Sequence, residues 1–379
     1  MKLSLEATII VKNPVDLTGE EIENWNGFRR SNPALYSPYF HVDYARLLGR
    51  LRDDASVAIA MIDEKPVSFL TFQGAASGGF ARPLGAPMSD YHGFVESPGT
   101  DIDRAEFLKA ANIGALHYQA MVGEQADMEG YHRNAYPLCL IDLTQGVETW
   151  REAQSSSYRR NLKKNRRRIR RTEEEYGARR FEFNCHDQKI YNQLMVWKKE
   201  RFAETGLYDV LSADWTSELL LSLWQSKDEL RCEMHALYFG DILAAIDMGL
   251  TDGPTFHSWM VAYNPDFHNL SPGTQLLEAL IDEAPKLGYG LIDLGAGTDS
   301  YKSAFAVEDG RVHSGFMPVA GAAAALSKIY GAAESFGEKS LGDIPGKIRR
   351  RYTQIADCDK TVSGRAKAML DAVKTGGSR

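Results

Sequence analysis

Two short stretches carry residue types and spacings that can do chemistry: NLSPGTQLL at 269–277, and DLGAGTDSYK at 293–302, directly after a short apolar run. In the first, proline and glycine open a helix. A helix N-terminus leaves backbone N–H groups unpaired and carries positive partial charge, so Gly273, Thr274 and Gln275 can cradle a pyrophosphate such as that of coenzyme A. The plainer reading is a helix that merely starts there, with Ser271 as N-cap and Pro272 at its first position. A second SPGT at 97–100 is an internal control, because Asp101, Asp103 and Glu106 follow it and would repel a phosphate. The second stretch looks like the nucleotide loop of a methyltransferase or dinucleotide-binding domain. That fold needs several more strands and helices after the loop, and only about 80 residues follow Gly297. The glycines are therefore read as a sharp turn from strand into helix.

The elements that must position these residues follow from composition and pattern. A chain of 379 residues is long for one core and suits two domains. With 44% apolar and 25% charged residues it has the composition of a globular protein with a sizeable core. No uninterrupted run of about 18 apolar residues occurs, and the N-terminal residues read as a first strand rather than a signal peptide. Cys139, Cys185, Cys232 and Cys358 are far apart, which suggests neither a zinc site nor a disulfide framework, and a cytoplasmic protein without a metal is expected. Net charge is −7, which argues against a general nucleic-acid binder, yet nine of the thirteen residues from Arg159 to Arg171 are Lys or Arg.

Both halves show a helix followed by a β-hairpin. DYARLLGRL (43–51) precedes VAIAMI, a turn and PVSFLTFQ; DWTSELLLSLWQ (214–225) precedes MHALYF, a turn and ILAAIDMGL. The pattern predicts an internal duplication. The second half continues with the strand TFHSWMVAY (255–263), the SPG-initiated helix with Leu276, Leu277, Leu280, Ile281 and Ala284 on one face, and the strand YGLIDLG. A boundary is expected near 142–153, and the polar, basic sequence from about Gly337 reads as a helical appendage.

The combination SSSYRRNLKKNRRRIRR, AAIDMGL, FHSWMVAYNPDFHNLSPGTQLLEALIDEA and LIDLGAGTDSYKSAFA resembles the cellulose-biosynthesis (CelD-like) branch of the GNAT acyltransferase superfamily. It is more distantly similar to the FemABX peptidyltransferases, which carry two GNAT-like domains in tandem, and most resembles acyltransferases of exopolysaccharide and holdfast loci. The resemblance covers 155–308 strongly and 30–145 more weakly. It implies an α/β (α+β) fold of two tandem GNAT-like domains, each a mixed, mostly antiparallel sheet flanked by helices. These are an acceptor-side domain at 1–145 and an acyl-CoA domain at 146–336, followed by a basic helical tail at 337–379.

It also implies the cofactor and the site. Acyl-CoA, acetyl-CoA above all, would place its pyrophosphate on Ser271, Gly273, Thr274 and Gln275 and its thioester by the splayed end of TFHSWMVAY, where a backbone N–H stabilises the oxyanion. Tyr301 stands where many family members keep a tyrosine general acid, and Lys302 matches a lysine able to bind a phosphate or carboxylate of the acceptor. His257, Asp293 and Asp247 are candidate bases for the acceptor amine, with core packing, or a cap on the GAGT turn for Asp293, as the plainer readings. Asp90, Tyr91 and His92, in the half without a CoA loop, are candidates for sugar or peptide contacts, against an ordinary turn.

The basic run places cations all around a helix, with few aromatic residues for stacking on RNA, and suits an anionic substrate such as a nucleotide sugar or lipid pyrophosphate, or inner-leaflet headgroups. In the tail, Arg349, Arg350 and Arg351 followed by DKTVSG resemble the arginine cluster and D-x-S/T-x-x-G pattern of cyclic-di-GMP receptors. The expected function is direct transfer of an acyl group from acyl-CoA to an amino sugar of an exopolysaccharide precursor, since no nucleophilic Cys or Ser stands in a recognisable setting. The alternatives are aminoacyl transfer from charged tRNA, and a non-catalytic cyclic-di-GMP-responsive binding protein.

Overall fold

The structure is a computed structural model that describes residues 7–75, 78–123, 126–297, 302–305, 307–329, 331, 344–359, 361 and 363–369. In chain order its strands are β1 (Thr8–Lys12), β2 (Ala55–Ile62), β3 (Lys65–Gly74), β4 (Phe80–Pro83), β5 (Phe94–Glu96), β6 (Ala115–Met121), β7 (His132–Asp142), β8 (Arg179–Glu182), β9 (Arg231–Phe239), β10 (Ile242–Thr251), β11 (Thr255–Tyr263), β12 (Leu291–Ala296) and β13 (Val307–Pro318). Its helices are α1 (Gly19–Ser31), α2 (Val42–Leu51), α3 (Arg104–Ala110), α4 (Val147–Ala153), α5 (Ser156–Tyr176), α6 (Gln188–Thr205), α7 (Asp214–Gln225), α8 (Pro272–Leu287) and α9 (Lys302–Phe305). Three more follow: α10 (321–329), α11 (Ile344–Cys358) and α12 (363–369).

The chain divides into two compact units, one of residues 1–135, 206–219 and 311–379, the other of 136–205 and 220–310. In the first unit the strand order is β1-β2-β3-β4-β6-β13, with β5 added beside β3. All its pairs are antiparallel except β4 with β6, which run parallel through Phe80↔Ala115 and Ala81↔Leu116. In the second unit the order is β8-β9-β10-β11-β12-β7, again antiparallel except for one parallel pair, β11 with β12.

Four antiparallel strands, a fifth parallel to the fourth and an antiparallel sixth thus occur twice. Along the chain each central hairpin follows a helix, α2 before β2–β3 and α7 before β9–β10, so the expected duplication of mixed, mostly antiparallel sheets is present. The chain path does not follow a single division at 145/146, since residues 206–219 and 311–379 belong to the first unit. The sixth strand of the first unit, β13, comes from late in the sequence, and that of the second, β7, precedes the rest of its unit.

Hydrophobic periodicity explains most elements. Leu276, Leu277, Leu280, Ile281 and Ala284 of α8 are all buried, and Leu277, Leu280, Ile281 and Ala284 pack with Phe256, Ile292 and Leu294 of the sheet. α1 begins on a capping box, in which the Thr18 hydroxyl accepts from Glu21 N at 3.3 Å and Glu21 Oε2 accepts from Thr18 N at 2.7 Å. The basic helix α5 does have an inner stripe. Tyr158, Asn165 and Thr172, two turns apart, are buried and Leu162 and Ile169 are half-buried, so the cations take the remaining ~200° of the helix rather than its whole circumference. Asn165 Nδ2 donates to Glu278 of α8 at 2.6 Å, and Thr172 Oγ1 donates back to the Arg168 carbonyl at 2.8 Å.

The tail is more than an appendage. α11 buries Ile355, Ala356 and Asp357 against the first unit, where Asp357 lies 3.4 Å from Arg82 and its carbonyl accepts from Arg52 at 3.2 Å.

Candidate active site

β11 and β12 run side by side only through Thr255↔Leu291, Phe256↔Ile292 and His257↔Asp293. Beyond these pairs β11 continues to Tyr263, while β12 stays with β7 through a shift of register between Asp293 and Ala296. The two parallel strands therefore part after His257, the last residue of β11 paired with β12 among the described residues. Val261 and Tyr263, beyond this point on β11, are exposed. A strand edge that has parted from its neighbour is a place where an extended amide-containing ligand can add itself to a sheet.

At the far end of β11 a 3-10 turn (Pro265–Leu270) leads through Ser271 into α8. Ser271 occupies the N-cap position as expected, but with φ 52°, in the left-handed region, and its side chain makes no capping hydrogen bond. A serine caps with its hydroxyl from an extended backbone, which the tight reversal between turn and helix does not allow here. Pro272 has no N–H, and those of Gly273 and Thr274 have no hydrogen-bond partner among the described residues. Among the described residues, a side-chain carbon built on Gly273 would meet only Val261 Cγ1 at 3.9 Å, so these leave the approach to the amides open.

Gln275 plays another part than the expected one. It is fully buried, its N–H donates to the Ser271 carbonyl at 3.2 Å, and its amide donates to Leu270 O at 2.9 Å and accepts from Arg179 at 3.3 Å. It braces the cradle while Gly273 and Thr274 face it. Arg179, which brings a cation to Gln275, was not singled out from sequence because it opens a short strand far from the SPG motif.

The three candidate bases lie on adjacent strands. His257 Nδ1 is 3.1 Å from Asp293 Oδ2, with both side chains fully buried. The other oxygen of Asp293 accepts from Gly295 N at 2.7 Å, so Asp293 also caps the glycine turn. Asp247 on β10 is buried and accepts a 2.8 Å hydrogen bond from Ser258 Oγ. Burial pushes its carboxyl up to about 6, against the lowering influence of Ser258, His257 and Lys198.

The sign of the consequence for stability follows from linkage. Between about pH 4 and pH 6 the folded chain keeps on Asp247 a proton that the unfolded chain has lost, so stability falls as pH rises through that window and the loss then stays constant. Wild type should lose about 2–3 kcal/mol relative to Asp247→Asn between pH 4 and pH 7, and urea titrations at the two pH values read it.

A bulge joins Ser258 to Asp247. Met248 pairs with Met260 and Gly249 with Ser258, so Trp259 is the extra residue. Simple alternation along TFHSWMVAY conceals this. A second buried polar group on the same sheet was also missed: Asn184 N donates to His235 Nδ1 at 3.1 Å, His235 Nε2 is 3.4 Å from Tyr289 Oη, and the Tyr289 hydroxyl donates to Glu233. Burial pushes His235 down to about 3, so it is neutral.

Lys302 donates its ammonium to the Ala296 carbonyl at 3.2 Å, closing the glycine turn. Tyr301 lies outside the described residues. Asp90, Tyr91 and His92 belong to the first unit. There Tyr91 and His92 are buried, the imidazole is 3.2 Å from the Thr71 carbonyl, and burial pushes it down to about 4; Asp90 alone of the three is half-exposed. Arg349, Arg350 and Arg351 lie on α11, and the Arg351 guanidinium donates to the Gly206 carbonyl. Among the described residues no helix is long and apolar enough to cross a membrane, and no cluster of side chains could hold a metal ion.

A mixed sheet whose single parallel pair splays beside an open helix N-terminus is the arrangement of the GNAT fold. Residues 156–303 match the acetyltransferase (GNAT) domain family, and the fold there is of the GNAT type. Among solved structures, FemX is similar over 80% of this chain and 96% of its own, at 10% identity and a TM-score of 0.50. A tandem GNAT protein from the clavulanic acid biosynthesis pathway is similar over 84% of this chain and all of its own, at 13% identity and a TM-score of 0.45. The C-terminal domain (DUF2156) of a candidate lysylphosphatidylglycerol synthetase from Agrobacterium fabrum is similar over 84% of this chain and 98% of its own, at 14% identity and a TM-score of 0.46. No curated protein matches the chain.

Proposed function

We propose that this protein transfers an acetyl group from acetyl-CoA to the amino group of a sugar destined for an exopolysaccharide, by direct attack of the amine on the thioester. The observation that carries the proposal is the parting of β11 from β12 after His257, with the open amides of Gly273 and Thr274 at the other end of the same strand. Helix N-termini stabilise phosphate oxygens, and a strand that has parted from its neighbour can pair with the amides of a pantetheine arm, so the two features fit the two ends of one ligand. Asp247, His257 and Asp293 supply buried groups on the neighbouring strands able to take the proton that the amine must lose.

The test is calorimetric titration with acetyl-CoA, followed by thiol release with glucosamine, galactosamine and their nucleotide-linked forms. Micromolar binding and amine-dependent thiol release are expected; no binding at millimolar acetyl-CoA would sink the proposal.

A second reading is aminoacyl transfer from charged tRNA. One observation favours it: Arg160, Lys163, Lys164, Arg166, Arg167 and Arg170 on α5 are exposed and have no ion-pair partner among the described residues. Transfer that requires charged tRNA and ignores coenzyme A thioesters would establish it.

A further inference from the structure

Ser258 is the first residue of β11 past its last pair with β12, and it is half-buried where Asp247 is almost wholly enclosed. Its hydroxyl donates at 2.8 Å to Asp247 Oδ2, while Asp247 Oδ1 has no hydrogen-bond partner among the described residues. A hydroxyl has one proton to give and two lone pairs to receive with. With its proton committed to Asp247, Ser258 has its lone pairs left for a donor in the splay. An amine bound there cannot touch the enclosed carboxylate directly, but it can touch this oxygen.

We propose that Ser258 is a catalytic proton relay, which takes a proton from the attacking amine and passes its own to Asp247. The proposal rests on the acyl-transfer reading above. In the step, the amine nitrogen forms a bond to the thioester carbon and becomes cationic as the C=O π pair moves onto the carbonyl oxygen, which gives a tetrahedral oxyanion. One N–H proton moves to Ser258 Oγ as the Ser258 proton moves to the Asp247 carboxylate. The oxyanion pair then re-forms the C=O bond as the C–S bond breaks, the C–S electron pair leaves with the coenzyme A sulfur, and the thiolate takes its proton from solvent. Asp247 returns the acquired proton to solvent through Ser258, which restores both groups.

Four other titratable groups bear on Asp247. His257 from β11 and Lys198 from α6 favour its charged form; the Tyr289 hydroxyl feels its charge, and His235 faces it across the β9–β10 pair as a neutral ring. The carboxyl, raised to about 6 by burial, is thus ionised and ready to accept at neutral pH.

The experiment compares wild type, Ser258→Ala, Ser258→Thr and Asp247→Asn in acetyl-CoA affinity, kcat with the amino-sugar acceptors named above, and the pH profile of kcat/KM. Ser258→Ala should bind acetyl-CoA as wild type does and lose about 100-fold in kcat. The acid limb of its profile should move upward, because the carboxylate has lost the hydroxyl that favoured its charged form. Ser258→Thr, which keeps a hydroxyl, should recover most of the rate, and Asp247→Asn should lose the limb.

Unchanged kcat and an unchanged limb in Ser258→Ala would overturn the relay and leave the acyl-transfer reading standing. An acetyl group found on Ser258 after a single turnover would overturn it in favour of a covalent step. Wild type that neither binds acetyl-CoA nor acylates these amines would overturn the acyl-transfer reading, and the relay with it.

Discussion

Gly273→Glu should abolish acetyl-CoA binding, weakening it by at least about 100-fold, while the melting temperature moves by no more than a degree or two. Gly273 sits at the second position of α8, half-buried, and a side chain there enters open space beyond Val261 Cγ1 at 3.9 Å. A carboxylate in the first turn of a helix is by itself mildly favourable to the fold, since it faces the positive end of the dipole. The same carboxylate would occupy the place of a pyrophosphate and repel what remains of it. Stability and binding should therefore separate, and calorimetric titration beside a thermal melt reads both. Affinity equal to wild type would refute the placement of the pyrophosphate at this helix end.

Gly249→Ala should cost about 2–3 kcal/mol of stability and, in whatever folds, reduce acyl transfer further than that loss explains. Gly249 is opposite Ser258 at the bulge, and a methyl group on it would run into the ring of Phe256 and come within 2.6 Å of the His257 carbonyl. Phe256 is fully buried, stacked on Tyr289 and packed against α8, so its ring has nowhere to move without opening the core. Relief must come from the strand, and the strand that shifts carries both His257 and Ser258. Denaturant unfolding would measure the first effect. The second appears as a lower kcat for the folded fraction, and a variant as stable and as active as wild type would show that the bulge has slack.

Much of this was legible in the sequence for reasons that are local. Hairpins announce themselves by alternation around DEK and GD turns, and the apolar face of α8 by its helical spacing, so the duplication and the order of elements around the SPG motif could be read directly. The inner stripe of α5 could not, because two of its three buried members are Asn165 and Thr172, polar residues that reach the interior by hydrogen-bonding to Glu278 and to the Arg168 carbonyl. The pairing of Ser258 with Asp247 depends on one extra residue, Trp259, in a strand that otherwise reads as regular. Gln275 looked like a ligand contact because its position in the motif was right; only the surroundings of its amide show that it braces the turn instead.

The late origin of β13 bears on how the protein is made. Leu116 of β6 pairs with Met317, some 200 residues later in the chain. At about 5–20 residues per second a ribosome needs roughly 10–40 s to bridge that interval, and through it one flank of β6 lacks its native partner. A bare edge of buried-type sequence such as ALHYQAM invites pairing with the wrong strand, so chaperone dependence and slow, contact-order-limited maturation are the expected cost of this topology.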